Sequence, residues 1–129
     1  MRTFALKKLE VAAGRVKFYQ IVIDNEDITK EFKEKLKNNK ALESQYKRIF
    51  AIISMLSNEE RVSGDLNHPM KDSTPGGSEH EITTDGLRAY YFKHTDGKVI
   101  VHFGLKKTQK QDIETFRNLK REFLQTLSK

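Results

Sequence analysis

Four basic residues in the C-terminal third of the chain have the types and spacing of an anion-binding site. Arg88 lies in the run LRAYYF, and three lysines, Lys106, Lys107 and Lys110, follow the run VIVHFGL. An Arg side chain can bind a phosphate through two parallel hydrogen bonds, and each Lys that neutralises a phosphate releases counterions. Residues 87–129 contain 10 Lys or Arg against 4 Asp or Glu, so this segment carries the whole net charge of +6. The pattern favours a polyanion or an acidic protein as partner.

Histidine is the side chain whose ordinary pKa suits proton transfer near neutral pH, and the chain has four, His68, His80, His94 and His102. Their spacing is not that of a zinc site. Cysteine is absent, which excludes disulfides, thiol nucleophiles and Cys-based zinc sites. Each histidine is therefore either a candidate acid–base group or a structural residue, and we expect no metal or cofactor.

A predicted hairpin must position these groups. Two runs rich in aromatic and β-branched residues, 87–93 and 99–105, flank a Thr95-Asp96-Gly97 turn, in which we expect Gly97 to take a positive φ. Residues 79–83, EHEIT, predict a short strand before the hairpin. After it, an apolar stripe predicts a C-terminal helix with Asp112 as its N-cap.

The first half of the chain predicts one strand and two helices. Residues 16–23 read as a strand, whereas residues 3–12 fit either a paired strand or a short helix. Asp24-Asn25 is the expected cap of a helix in which Ile28, Phe32 and Leu36 share one face, and a second helix covers about 41–57. Residues 58–78 read as a long loop. We therefore expect one α+β domain over residues 1–129.

Three segments of the chain, LRAYYF, VIVHFGLKKTQK and DIETF, resemble the RelE/HigB-type toxins of bacterial type II toxin–antitoxin pairs. The similarity is to the phage-derived HigB-like branch of the RelE/ParE superfamily. It implies a RelE-like fold: a mainly antiparallel sheet of about four strands, with an N-terminal helical hairpin and a C-terminal helix. It also implies a toxin that cleaves mRNA without a metal, either alone or on the ribosome, and a helix-turn-helix antitoxin as partner.

The resemblance assigns roles to individual residues. Arg88 would lie on the open face of the sheet and stabilise the charge on the phosphate that is cut. Lys106, Lys107 and Lys110 would contact RNA at the rim of the same groove. Tyr90, or its neighbour on the opposite face of the strand, would stack on a nucleobase.

The strand before the hairpin departs from the family. Many RelE-type nucleases carry Lys or Arg there, whereas this chain has Glu79, His80 and Glu81. Carboxylates repel an RNA phosphate unless one of them acts as a general base. Either His80 and Glu81 form an acid–base pair, or nuclease activity is weak or absent.

Two other functions are compatible with the sequence. One is non-catalytic binding of RNA or of a protein by a RelE-like domain, and the other is inhibition of DNA gyrase in the manner of ParE. No apolar run reaches the roughly 18 residues that span a bilayer, and the N-terminus does not resemble a signal peptide. We therefore expect a cytoplasmic protein without a membrane partner.

Overall fold

A mixed β-sheet organises the protein, which we describe from a computed structural model over residues 2–95 and 97–128. This part of the chain forms seven strands, three α-helices and one 3-10 turn. The strands are β1 (Phe4–Lys8), β2 (Lys17–Ile23), β3 (Glu26–Asp27), β4 (Asn67–Pro69), β5 (Glu79–Thr83), β6 (Leu87–His94) and β7 (Gly97–Leu105). The helices are α1 (Ile28–Lys35), α2 (Lys40–Ser57) and α3 (Gln109–Leu127), and the 3-10 turn covers Lys106–Thr108.

The strand order in the sheet is β1-β2-β7-β6-β5-β4, and β3 pairs with β2 outside this path. Strands β2 and β7 are parallel, and the other pairs are antiparallel. Strand β6 lies in the middle of the sheet. Its alternate residues point to opposite faces, and the residues on both faces are buried.

Helices cover both faces of the sheet. On one face, α1 and α2 enclose a core that includes Phe32, Ile49, Tyr91 and Phe103. On the other face, α3 packs Phe116, Leu119 and Phe123 on residues of β2, β6 and β7. The two apolar cores explain why β6 and β7 are nearly continuous hydrophobic runs rather than an alternation of apolar and polar residues.

The predicted RelE-like fold, with about four strands and an N-terminal helical hairpin, is wrong. The sheet has seven strands, and β1, β2 and β3 precede the first helix. Residues 3–12 contain strand β1, which pairs with β2 rather than forming a helix. The added strands β1, β3 and β4 are short and largely exposed, so they lack the apolar alternation by which a strand is predicted.

Two local predictions, both of helix caps, also need correction. Asp24 and Asn25 have positive φ values and turn the chain, so the cap of α1 is Asp27, whose carboxylate accepts from the N–H of Thr29 and Lys30. Helix α3 begins at Gln109, so Asp112 lies within its first turn rather than capping it.

The turn of the hairpin is only partly described. The predicted positive φ of Gly97 depends on Asp96, which lies outside the described residues. Gly97 is needed because a Cβ there would lie 2.6 Å from the carbonyl oxygen of Lys17 on the adjacent strand β2. The glycine therefore permits the parallel pairing of β2 with β7.

Candidate acid–base and anion-binding site

Four polar side chains form a row across β4, β5, β6 and β7, on the face that α3 covers. His68 pairs in register with Glu81, Glu81 pairs with Tyr90, and Tyr90 pairs with His102. Residues directly opposite each other on neighbouring strands point to the same face. We call His68, Glu81, Tyr90 and His102 the polar row.

A β-bulge brings His102 into the polar row. Tyr91 pairs with Ile100, but Tyr90 pairs with His102, so Val101 is an extra residue in β7. Ile100 packs in the core under α1 and α2. Without the extra residue His102 would point the same way as Ile100, whereas it contacts α3 instead.

The two histidines of the polar row are each paired with a carboxylate. His102 Nε2 lies 2.9 Å from Asp112 Oδ1, and His68 Nε2 lies 2.9 Å from Glu81 Oε1. A carboxylate in this position orients the imidazole ring. The two histidine side chains are 24% and 39% exposed, respectively, so both reach solvent.

The two histidine–carboxylate pairs are separate from each other. His68 and His102 lie three strands apart, which is roughly 14 Å at the usual spacing between strands. This distance is too long for both rings to act on one phosphate. Within the row, His102 and Tyr90 are adjacent, with ring centroids 6.1 Å apart and nearly parallel planes.

The carboxylate of Asp112 is held from two sides. Thr108 donates its hydroxyl to Asp112 Oδ2, and His102 contacts the other oxygen. Gly104 makes room for this carboxylate, because a Cβ at position 104 would collide with it. The start of α3 therefore positions Asp112 against β7, and any larger residue at 104 would displace it.

Two hydrogen-bond donors in the middle of this site have no partner within the part of the chain that the structure describes. They are the Tyr90 hydroxyl and the Nε of Arg88, both buried. Burial raises the pKa of the Tyr90 phenol, and the charges of Glu81 and Asp112 raise it further, as does the proximity of the Glu81 carboxylate to the hydroxyl, although the two groups do not meet hydrogen-bond geometry. Tyr90 therefore stays protonated. Because buried donors normally have partners, two unpaired ones on the same face of β6 indicate a site for an acceptor, such as an anion.

Arg88 does not lie on an open face of the sheet, as the resemblance implied. It is 9% exposed, since helix α3 lies on that side. Its Nη1 donates to the carbonyl oxygens of Thr84 at 2.6 Å and of Leu87 at 2.7 Å. One edge of the guanidinium therefore supports the turn that precedes β6, and the Nε edge is the part that could bind a ligand.

The three lysines lie at the same end of the sheet as Arg88. Arg88 pairs with Gly104 in register, and Lys106 and Lys107 follow two and three residues later in the 3-10 turn. Lys110 lies in the first turn of α3. All three are exposed, and none forms an ion pair with another described residue. They form an exposed basic cluster, and their contact with RNA stays a prediction.

His80 is not part of the polar row. It points to the opposite face from Glu81 and stacks on Tyr91, with ring centroids 5.1 Å apart. Burial lowers the pKa of His80, and the positive charge of Lys98 lowers it further. The predicted acid–base pair of His80 with Glu81 is therefore wrong, because the partner of Glu81 is His68. Tyr91 is a core residue whose hydroxyl donates to Asn67 Oδ1 at 2.7 Å.

Glu79 has a structural role. Its carboxylate accepts hydrogen bonds from Lys120 and Arg117, each at 2.9 Å, and from the Thr74 hydroxyl. Burial raises the pKa of Glu79, but the three donors outweigh burial and hold that pKa below its usual value. Lys120 is 0% exposed and also donates to the carbonyl oxygens of Thr74 and Gly77. This network ties the 71–78 loop to α3.

Sequence reasoning missed three contributors to the site: His68 as a partner of Glu81, Asp112 as a partner of His102, and Gln109, which donates to Glu81 Oε2 at 2.7 Å. The available signal was a polar cluster, TQKQD, directly after an apolar strand that contains a histidine. Which side chains of this polar cluster contact the sheet depends on the residue at which α3 begins.

Comparison with known proteins found no match: no family model fits the chain, and neither a curated protein nor a solved structure is significantly similar. None of the helices in the described residues is long and apolar enough to cross a membrane. The same residues contain no cluster of three or more His, Cys, Asp or Glu side chains that could hold a metal ion. The interpretation of the site therefore rests on its own geometry and charge.

Proposed function

We propose that this protein is a metal-independent endoribonuclease, the toxin component of a type II toxin–antitoxin pair with a helix-turn-helix antitoxin as partner. The polar row carries the nuclease part of the proposal, and the toxin role rests on the resemblance of the sequence to RelE/HigB-type toxins. His102 of the row is paired with Asp112, and the Tyr90 hydroxyl and the Arg88 Nε, on the same face of β6, are donors without a partner among the described residues. Lys106, Lys107 and Lys110 follow at the same end of the sheet as Arg88. RNA cleavage by the 2′-hydroxyl requires these groups: a base, donors to the phosphate and cations that hold the strand.

In the proposed reaction, His102 takes the proton from a ribose 2′-hydroxyl, and Asp112 stabilises the imidazolium that forms. The resulting oxyanion attacks the adjacent phosphorus, and the bond to the 5′ oxygen breaks to leave a 2′,3′-cyclic phosphate. Arg88 Nε donates to the charged phosphate oxygens. We assign protonation of the leaving 5′ oxygen to Tyr90, which keeps its proton at neutral pH.

Access to the phosphate donors is the main requirement of this mechanism. Arg88 and Tyr90 are buried, so RNA must reach them past the 3-10 turn of Lys106–Thr108 while Asp112, in the first turn of α3, keeps its contact with His102. Lys106, Lys107 and Lys110, which would engage RNA first, lie in this turn and at the start of α3.

The proposal is tested by incubating the purified chain with a labelled mRNA, with and without ribosomes and in the presence of EDTA. We expect cleavage to products with 2′,3′-cyclic phosphate ends, and slowed growth when the chain is expressed alone. His102→Gln should lower the cleavage rate at least tenfold. His94→Gln is the control, because His94 lies outside the polar row. A folded wild-type protein that neither cleaves RNA under any of these conditions nor slows growth would refute the proposal.

A second candidate function is non-catalytic binding of RNA. It is favoured by the bonds from Arg88 Nη1 to two backbone carbonyls, which give this arginine a structural role. In that case the basic cluster of Lys106, Lys107 and Lys110 alone would bind the polyanion, with an affinity that falls steeply as salt is raised. Salt-sensitive binding without cleavage, on RNA alone and on ribosomes, would identify this function.

A further inference from the structure

A groove between α1 and α2 has the composition of a peptide-docking site. It lies on the face of the sheet opposite to the polar row and has a volume of about 750 Å³. Its floor is apolar, formed by Leu36, Tyr46 and Phe50. The apolar floor would accept aliphatic or aromatic side chains, because their transfer from water is favourable.

Lysines dominate the rim of this groove. Lys30 and Lys33 lie on α1, and Lys40 and Lys47 lie on α2. All four are exposed, and within the described parts of the chain none of them forms an ion pair. Glu43 is the one acidic residue on the rim. The groove is therefore apolar inside and positively charged on both edges.

We propose that this groove binds an acidic amphipathic helix of a partner protein. Such a helix presents apolar residues at i, i+3, i+4 and i+7 to a groove and acidic residues on its flanks. The flanks would face the lysines of α1 on one side and those of α2 on the other. The carboxylates would also steer the partner to this face.

The dimensions agree with a short helix as the occupant. The lining residues of α2 run from Lys40 to Phe50, which is about 15 Å of helix at 1.5 Å per residue. About ten residues of a partner helix would cover that length. Nucleic acid fits the groove less well, because Glu43 interrupts the positive rim and the floor is apolar. The proposal does not depend on nuclease activity, since the polar row lies on the other side of the sheet.

The test uses the full chain and a fluorescein-labelled peptide of about 14 residues, with Leu or Phe at the i, i+3, i+4 and i+7 positions and Glu on both flanks. A peptide of the same composition in scrambled order is the control. Fluorescence anisotropy should show saturable binding of the amphipathic peptide, at least tenfold tighter than that of the scrambled peptide.

Charge reversal on the rim locates the binding site. The double variant Lys33→Glu, Lys47→Glu should bind the amphipathic peptide at least tenfold more weakly. Arg48→Glu is the matched control, because Arg48 is exposed on the same helix but does not line the groove, and it should change the affinity less than twofold. Melting curves check that each variant is folded.

Three results would overturn the proposal. The first is equal binding of the amphipathic and scrambled peptides, which would indicate non-specific attraction. The second is unchanged affinity in the double variant. The third is a dimer in sedimentation experiments that the double variant dissociates, because the occupant of the groove would then be a second copy of this chain.

Discussion

Glu79 and Glu81 lie on the same strand and the same face, two residues apart, yet their surroundings differ. Glu79 is bonded to the cations Lys120 and Arg117, and the network around it is satisfied. Glu81 has no Lys or Arg partner among the described residues, and its carboxylate lies near the Tyr90 hydroxyl, which forms no hydrogen bond of good geometry with any of these residues. The first arrangement is that of a structural ion network, and the second is that of a site prepared for a ligand.

The largest expected effect is a difference in the free energy of unfolding between Glu79→Gln and Glu81→Gln. Glu79→Gln should lower the free energy of unfolding by about 3–5 kcal/mol, because it leaves Lys120 buried without a counter-charge. Glu81→Gln should cost about 1 kcal/mol, since an amide oxygen can still accept from His68 or Gln109 and no Lys or Arg is stranded. Urea denaturation of both variants measures the difference. Equal losses of stability would remove the contrast between the two carboxylates.

The pH dependence of stability should follow Glu79. Its pKa in the folded protein is lowered below the ordinary value of 4.5, so its stabilisation is present above pH 4.5 and is lost as the pH falls through the lower folded value. The wild-type melting temperature should therefore fall on acidification below about pH 4.5. Glu79→Gln should show a flatter profile. A profile with the same slope in both proteins would show that other carboxylates control acid stability.

A methyl group at position 104 should disturb the contact between Asp112 and His102, although Gly104 is not part of the polar row. Gly104→Ala drives a Cβ into the Asp112 carboxylate, so we expect a loss of about 1–3 kcal/mol and weaker pairing of Asp112 with His102. Gly64→Ala is the control, because a Cβ there would meet no atom within 4 Å. Thermal melts of the two variants should differ clearly, and a Gly104→Ala protein as stable as Gly64→Ala would contradict the described packing.

The smallest effect on stability is expected at Tyr90. Tyr90→Phe removes a hydroxyl that has no partner among the described residues, so the free energy of unfolding should change by less than about 0.5 kcal/mol. Tyr91→Phe removes the hydrogen bond to Asn67 and should cost about 1 kcal/mol. Chemical denaturation distinguishes the two. A larger loss for Tyr90→Phe would mean that its hydroxyl is needed for the fold.

The elements with strong apolar patterns were predictable from the sequence. The hairpin of β6 and β7, helix α2 and helix α3 have long hydrophobic runs or stripes, and their positions agree with the predictions within a few residues. Strands β3 and β4 were not predictable, because two or three residues form no periodic pattern and gain their stability from pairing with neighbours. Helices also cover both faces of the sheet, whereas the family resemblance implied one open face.

The candidate site was predictable in part. The basic residues, Glu81 and Tyr90 were named as candidates from residue types in the sequence. The alignment of Glu81, Tyr90 and His102 did not, because it depends on the register between strands and on the bulge at Val101. Alternation alone would have placed His102 with Ile100 on the other face, away from Asp112.

The role of Tyr90 is tested most directly by the cleavage rate of a labelled RNA by wild-type protein, Tyr90→Phe and Tyr91→Phe, measured with and without ribosomes at a temperature where all three are folded. We expect Tyr90→Phe to cleave at least tenfold more slowly than wild type despite unchanged stability, and Tyr91→Phe to cleave at the wild-type rate. Equal rates for all three proteins would show that the hydroxyl of Tyr90 does not serve catalysis and would contradict the proposed mechanism.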